Sequence, residues 1–284
     1  MKMRFLTTKL LVALIISSSL CATSKIPQGY KQIECTLVQK ASKKDTFSHP
    51  HIPGPKSTDS RAPRGQVTST NWSGYAAANN FNSPATNSVS AVSASWIVPT
   101  IKAATGNDYC AIWVGIDGYS SPTVEQIGTE HDFISGVQQN SAWFEMYPGG
   151  SYGISGFPLN PGDVISASVV YSGSSIFTLT LTNDTQKVVY TVPTSYTRST
   201  TAKRNSAEWI VEAPYYNGIL PLADFVTAYL WGCIATINGV TAPMNNSSWQ
   251  CVPIEMVTSG GAAKAIPSAP LPDNGSFFET WYHV

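Results

Sequence analysis

Two distant stretches of the sequence carry polar side chains within otherwise strand-like apolar runs. An apolar run over residues 109–116 ends at Asp117, and Gln126 follows in a second strand-like segment. Far along the chain, the stretch Ala207–Glu212 contains Glu208. A carboxyl group can transfer protons, and an amide can donate a hydrogen bond to developing charge. Taken alone, however, both residue types are more typical of ordinary hydrogen-bonded positions in strands.

The common nucleophile and metal schemes find little support. After residue 66 the only histidines are His131 and His283, no serine lies in a Gly-x-Ser-x-Gly elbow, and no paired Asp-Thr/Ser-Gly turns occur. A glycosidase pair of Glu208 with Glu212 or Glu145 is disfavoured, because carboxyls at i and i+4 of one strand lie about 13 Å apart. The absence of a Gly-rich phosphate loop and of a basic, aromatic-interleaved patch argues against nucleotide and nucleic-acid binding.

The residues that would position these groups follow a β pattern. Charged residues make up only 12% of the chain, and helical periodicity is hard to find after residue 24. Short runs that alternate or are continuously apolar predict strands at residues 88–98, 164–171, 176–181, 188–192 and 225–237. Turn sequences separate them, including Asn238-Gly239. We therefore predict an all-β fold, an antiparallel sandwich or barrel over residues 67–284.

The N-terminus has the parts of a secretory signal. Lys2, Arg4 and Lys9 precede an apolar core from Leu10 to Ile16, and a small-residue region places cleavage near Ala22. The apolar core is too short to span a bilayer. We expect residues 1–22 to be a signal peptide and the protein to be secreted or periplasmic.

The next segment, residues 23–66, is basic and rich in proline. Residues 1–66 carry 11 Lys/Arg and 3 Asp/Glu, whereas the remainder carries 6 and 14. This asymmetry indicates either a basic pro-segment complementary to an acidic body or a solvated linker. Residues 25–66 offer little apolar material, so we expect much of this stretch to be mobile.

Five cysteines fit an oxidising compartment loosely. Cys21 lies in the signal region. Cys233 and Cys251 close a loop of fewer than 20 residues and are the expected disulfide. Cys110 is then either paired with Cys35 or free and buried.

A set of short motifs, in order over roughly residues 70–240, resembles the glutamic peptidases of the eqolisin type. Each motif is short, but jointly they are specific. They are Asn71-Trp-Ser-Gly74, Trp96-Ile-Val-Pro99, Trp113-Val-Gly-Ile-Asp-Gly118, Gln126 within Glu-Gln-Ile-Gly, Ala142-Trp-Phe-Glu-Met-Tyr-Pro148, Pro161-Gly-Asp163 and Ala207-Glu-Trp-Ile-Val-Glu-Ala-Pro214. The resemblance implies a concanavalin-like sandwich of two antiparallel sheets and an acid endopeptidase made with a signal and a basic pro-segment.

The same resemblance implies a catalytic dyad of Gln126 and Glu208. Ionised Glu208 would take a proton from a water molecule, and the Gln126 amide would donate to the oxyanion without titrating away in acid. The implied substrate-binding residues are Trp72, Trp113, Asp117, Glu130, Glu145 and Tyr147. Glu130 stands where the family usually has Asp, so a longer side chain is expected to alter the hydrogen bonding around Gln126.

The expected partners are protein or peptide substrates and the chain's own basic pro-segment acting as an inhibitor. No cofactor, metal, nucleic acid or membrane is expected, and we expect a monomer. The alternative function is a non-catalytic secreted sandwich that binds carbohydrate or peptide through aromatic residues, namely Trp72, Trp113, Trp143 and Tyr147. Such a module has no need for Gln126 and Glu208 together.

Overall fold

A computed structural model describes residues 26–39 and 67–282. Apart from one short 3-10 turn at Thr194–Tyr196, the regular structure of these residues consists entirely of strands. No helix among them is long and apolar enough to cross a membrane. The strands are β1 Lys31–Gln32, β2 Thr36–Gln39, β3 Val67–Ser69, β4 Trp72–Ala78, β5 Val89–Ile97, β6 Ala111–Ile116, β7 Val124–Ile134, β8 Val137–Tyr147, β9 Tyr152–Ser155, β10 Val164–Gly173, β11 Ile176–Asn183, β12 Val188–Thr191, β13 Ala207–Glu212, β14 Thr227–Ile237, β15 Val240–Pro243, β16 Gln250–Val257, β17 Ala263–Pro267 and β18 Phe277–Trp281.

The strands form two layers, which confirms the prediction of an all-β sandwich. One layer runs β12–β11–β10–β5–β14, and the other runs β16–β4–β13–β6–β7–β8–β9. β17 and β18 continue the hydrogen bonding from β14 to β16, so the two layers are one mixed network. Strands β5, β10 and β11 pack against β6, β7 and β13, and the main apolar core lies between them.

The predicted turns lie where their residue types suggest. Ser174 and Ser175, both at positive φ, join β10 to β11, and Asn238-Gly239, also at positive φ, joins β14 to β15. The tail after Ile237 contributes β15 to β18. For its section from residue 266 to 272, the sequence allowed either an extra strand pair or a mobile end. This section begins in β17 and leads to β18.

Alternation along the second layer separates two faces. Ile112, Val114 and Ile116 of β6 point into the main core. Ala111 and Trp113 point the other way, into a second apolar cluster that includes Trp72 and Trp143. We call this second side of β4, β13, β6, β7 and β8 the outer face.

The first part of the basic segment is ordered, contrary to the expectation of mobility for residues 26–39. β1 pairs in parallel with β12, and β2 pairs with β9, so this stretch extends one edge of each layer. Ile33, Cys35 and Leu37 pack against the core, and the Tyr30 hydroxyl donates to Asp184 Oδ1 at 2.7 Å. These few apolar residues suffice because unpaired strand edges supply the hydrogen bonds. Residues 1–25 and 40–66, with the predicted signal and the rest of the basic segment, lie outside the described residues.

The predicted Cys233–Cys251 disulfide is wrong for this structure. Cys35, Cys110, Cys233 and Cys251 are all free. Cys233 is fully buried, and burial raises the pKa of its thiol. Although they are free, the side chains of Cys233 and Cys251 are close enough for the Cys251 charge to contribute to the raised pKa of Cys233.

Candidate active site

A single row of register partners crosses the outer face and contains both predicted dyad residues. Glu208 of β13 lies opposite Gly115 of β6, Gly115 lies opposite Gln126 of β7, and Gln126 lies opposite Glu145 of β8. Register partners in a sheet project from the same face. The structure therefore brings Glu208, Gln126 and Glu145 together on one side of the sheet, although more than 80 residues separate Gln126 from Glu208 in the chain.

Gly115 leaves room between the two dyad residues. With two strand spacings of about 4.8 Å, the Cα atoms of Glu208 and Gln126 stand about 10 Å apart. A Cβ atom added at Gly115 would lie 3.0 Å from Trp113 Cζ3 and 3.3 Å from Gln126 Cβ. Glycine therefore adds no side chain of its own between the carboxyl and the amide, and the edge of the Trp113 ring lies over this position.

Glu208 is fully buried and keeps one oxygen for other partners. Its Oε1 accepts a hydrogen bond from the Tyr119 backbone N–H at 3.4 Å, whereas Oε2 has no hydrogen-bond partner among the described residues. Burial raises the pKa of Glu208 well above its ordinary value, and the charges of Asp117 and Glu125 raise it further. Hydrogen bonds from the Ser206 side chain and the Tyr119 amide oppose this shift. In this conformation burial therefore favours the neutral form of the Glu208 carboxyl.

Gln126 is held in a defined orientation. Its Nε2 donates to Glu145 Oε2 at 2.9 Å, and the whole pair is buried. Gln126 Oε1 is buried without a hydrogen-bond partner among the described residues. The amide has a second N–H that the Glu145 bond does not use. This arrangement can donate one hydrogen bond toward the strip above Gly115.

Two tryptophans form a buried platform farther along the outer face. Trp72 and Trp113 contact edge to face, with ring centroids 5.0 Å apart. Trp113 Nε1 donates to Glu212 Oε2 at 2.7 Å, and Asn71 Nδ2 donates to Glu212 Oε1 at 3.1 Å. Glu212, which the sequence presented as part of a motif and as a disfavoured glycosidase partner of Glu208, is thus the group that fixes the Trp113 ring.

Asp117 anchors loops and does not lie on the row. At a positive φ of 72°, it ends β6. Its carboxylate accepts backbone N–H bonds from Lys203 and Arg204 at 2.7 Å each and from Asn205 at 2.9 Å. This ties the loop after β6, which supplies the Tyr119 amide, to the segment leading into Glu208. Burial raises the Asp117 pKa, and the hydrogen bonds it accepts partly oppose that shift.

Glu130 and Tyr147 lie on the outer face at opposite ends. Glu130 is the register partner of Ala111, four residues beyond Gln126 and about 13 Å away along the strand. The hydrogen bond to Gln126 comes from the neighbouring strand through Glu145, so the longer Glu130 side chain does not disturb it. Tyr147 is half-buried and lies two residues past Glu145 on β8.

Sequence reasoning missed three contributors to this site. They are Gly115 as the residue without a side chain between Glu208 and Gln126, Tyr119 as a backbone N–H donor to Glu208, and Glu125. Burial and the charge of the neighbouring Asp117 raise the pKa of Glu125. A glycine inside an apolar strand is a usable signal for close approach. The other two depend on a loop folding back, for which the sequence carries no local sign. Among the described residues no group of three or more His, Cys, Asp or Glu could hold a metal ion.

The model of the Peptidase A4 family matches residues 70–263, which is more than half of the chain. The chain belongs to the Peptidase A4 family. It is a glutamic-type endopeptidase, and the resemblance stated from its motifs is confirmed. No curated protein matches the sequence.

Solved structures similar to this A4-family peptidase share its fold. Scytalido-glutamic peptidase with a transition state analog inhibitor aligns with a TM-score of 0.60 and 22% identity, covering 75% of this chain and 98% of the other. SCP-B, an eqolisin-family member in complex with the tripeptide Ala-Ile-His, gives 0.56 and 20%, with coverage of 75% and 98%. Aspergilloglutamic peptidase from Aspergillus niger gives 0.52 and 24%, with coverage of 62% and 99%.

Proposed function

We propose that this peptidase is a secreted acid endopeptidase that hydrolyses peptide bonds with Gln126, Glu208 and a water nucleophile. The observation that carries the proposal is the register of Glu208 and Gln126 on either side of Gly115. A carboxyl group and an amide donor lie on the two strands that flank Gly115, and we propose that a peptide carbonyl and a water molecule bind between them. Neither group depends on a histidine or a metal ion.

The reaction follows from the two groups. Ionised Glu208 accepts a proton from the water molecule while the water oxygen forms a bond to the scissile carbonyl carbon. The carbonyl π electrons move to oxygen, and the free N–H of Gln126 donates to that oxyanion. Glu208 then passes its proton to the leaving nitrogen as the C–N bond breaks, which releases an amine and a carboxylic acid.

Burial of Glu208 sets a condition on this cycle. The pKa of Glu208 is raised mainly by burial, so the covered conformation favours the neutral carboxyl. Solvent access to the outer face removes that penalty and returns the pKa toward the ordinary value of about 4.3. We therefore propose that exposure of the outer face turns Glu208 from a proton donor into a base that works in acid.

Substrate is proposed to lie across the outer face. Peptide-based inhibitors and a tripeptide occupy the related glutamic peptidases in their solved structures. Here Trp72 and Trp113 form the floor on one side of the dyad, and half-buried Tyr147 lies on the other. Glu130 lies at the far end of the same face, whereas Asp117 holds the loop that covers Glu208.

Residues 40–66 are proposed to be the inhibitory part of the basic segment. Gln39 pairs with Tyr152 beside β8, and the chain resumes at Val67, five residues before Trp72 of β4. β8 and β4 lie on opposite sides of the dyad row. The described residues that come directly before and after residues 40–66 therefore lie on opposite sides of that row. Residues 40–66 carry six Lys/Arg and two Asp/Glu, whereas β4, β6, β7, β8 and β13 contain acids and no Lys or Arg. Protonation of the carboxyls in acid would weaken this attraction.

The deciding experiment is digestion of a denatured protein at about pH 3–4, where a model Glu is partly ionised. Glu208→Gln is expected to lower turnover by about 10²–10⁴-fold because it removes the general base. Glu255→Gln, a half-buried position on β16 outside the row, is the matched control and should retain activity. Full activity of Glu208→Gln with an intact fold would refute the dyad, whereas no hydrolysis by the wild type would favour a binding module.

A further inference from the structure

A cavity of the described residues lies away from the dyad row, at the end of the sandwich where β6 begins. Its volume is about 810 Å³. The connections from β5 to β6 and from β13 to β14 form its walls, together with the ends of β16 and β18. Ala111, where β6 starts, is four residues from Gly115, so the cavity lies beyond a point about 13 Å from the dyad.

The lining combines apolar surface with a lysine that has spare donors. Leu220, Leu222, Val257 and Trp281 contribute apolar walls. Lys264 also lines the cavity and is only partly exposed. Among the described residues, the Lys264 ammonium donates a single hydrogen bond, to the Thr70 carbonyl oxygen at 3.2 Å. An ammonium group has three N–H donors, so two remain for a ligand.

The other charges of the cavity do not neutralise Lys264. Lys102 Nζ lies 3.5 Å from Asp224 Oδ2, and Asp224 Oδ1 also accepts from the Val226 backbone N–H, so these two charges pair with each other. Asp108 lines the cavity as well, and burial raises its pKa. Burial of Lys264 without a carboxylate partner lowers the lysine pKa, because its charge loses hydration. An anionic ligand would relieve that cost.

We propose that this cavity binds an apolar molecule that carries one carboxylate, with Lys264 as the anion-binding group. The carboxylate accepts the two remaining N–H donors of Lys264, and the apolar body fills the space between Leu220, Leu222 and Trp281. Two sources share this chemistry, the C-terminus of an apolar peptide and a medium-chain fatty acid. The site is independent of the dyad and does not rest on the proposed function.

The test measures binding to the full chain carrying Glu208→Gln, which prevents turnover of peptide probes. The probes are N-acetyl-Leu-Phe as the free acid, the same dipeptide as its C-terminal amide, and decanoic acid. Binding is followed by calorimetry at about pH 5.5, where an α-carboxyl is ionised and a lysine is protonated. We expect the free acid to bind at least about 10-fold more tightly than the amide, since a hydrogen bond to a charged group contributes that much.

Variants then assign the effect to Lys264. Lys264→Gln should remove the preference for the acid, and Lys264→Arg should retain most of it. Lys187→Gln, in the turn before β12, should leave the preference unchanged. Ala104→Trp, which fills part of the cavity, should weaken both peptide probes if Lys264→Gln does not fold. A tighter complex with decanoic acid would identify the lipid source, and a tighter complex with the dipeptide acid the peptide source. Equal affinity for acid and amide, no binding of any probe, or an unchanged preference in Lys264→Gln would overturn the proposal.

Discussion

Glu208 and Gln126 both lie directly opposite Gly115, one on each strand that flanks β6. Their side chains therefore share a face, and the residue between them on the central strand is a glycine. The functional groups keep one buried oxygen each without a hydrogen-bond partner among the described residues. The proposed peptide-bond hydrolysis requires glycine at position 115 as much as it requires the side chains of Glu208 and Gln126.

Gly115→Ala should reduce activity while the sandwich still folds. The new methyl would lie 3.0 Å from Trp113 Cζ3 and 3.3 Å from Gln126 Cβ, so it would shift the amide and narrow the strip. A displacement of about 1 Å can cost about 10²-fold in turnover. Gly106→Ala is the matched control, because an added Cβ there meets nothing within 4 Å. Unchanged kcat in Gly115→Ala would show that the strip is not where the water and carbonyl meet.

Gln126→Ala should lower turnover far more than substrate affinity. Loss of one oxyanion donor typically costs about 10²–10³-fold in kcat. Steady-state kinetics in acid separate kcat from KM, and Gln139→Ala, an exposed glutamine on β8, serves as the control. An increase in KM with kcat intact would instead make Gln126 a binding residue.

Acid should release the basic segment and start activity together. When the precursor is brought from neutral pH to about pH 3–4, carboxyls of the outer face take up protons and lose their attraction for the lysines. Mass spectrometry should then show loss of residues up to about position 65, with activity rising in parallel. The double variant Lys43→Glu and Lys44→Glu should reach activity at a higher pH than the wild type. An intact precursor with full activity would contradict inhibition by this segment.

His131 should make the fold less stable as the medium becomes acidic. Trp96 Nε1 donates to Thr129 Oγ1, which leaves the threonine hydroxyl to donate to His131 Nε2, and His131 Nδ1–H then donates to Asn140 Oδ1. This chain of bonds fits the neutral ring, and burial lowers the His131 pKa to about 4 from the ordinary 6.5. Between these values the unfolded chain binds the proton and the folded chain does not.

The stability that His131 contributes is therefore fully present above about pH 6.5 and is lost as the pH falls toward about 4, by up to about 3 kcal/mol. The raised pKa values of buried acids such as Glu208 make the folded chain more stable as the pH falls, which is opposite to the effect of His131. The contribution of His131 is therefore measured by comparing the wild type with a His131 variant. Urea unfolding between about pH 4 and pH 6.5 should show a steeper fall for the wild type than for His131→Asn. Parallel curves would mean that His131 binds its proton as readily in the folded chain as in the unfolded chain, which would contradict the lowered pKa.

Much of the architecture could be predicted because alternation and turn residues are local signals. The strands at residues 164–171 and 176–181 lie within β10 and β11, and Asn238-Gly239 makes its turn. The predicted Cys233–Cys251 disulfide is not formed, because a short loop does not by itself give two cysteines the specific geometry of a disulfide. Residues 26–39 became strands because the open edges of β12 and β9 are created elsewhere in the chain.

By itself, the sequence determined the β class, the strand faces and, through its motifs, the family and the two residues expected to act. Only the tertiary structure decided that Gly115 separates them, that Glu145 holds Gln126, and that Asp117 ties down loops. Those relations depend on the register between strands distant in the chain. A shift of one residue in that register would move Glu208 to the core face without changing a single local pattern.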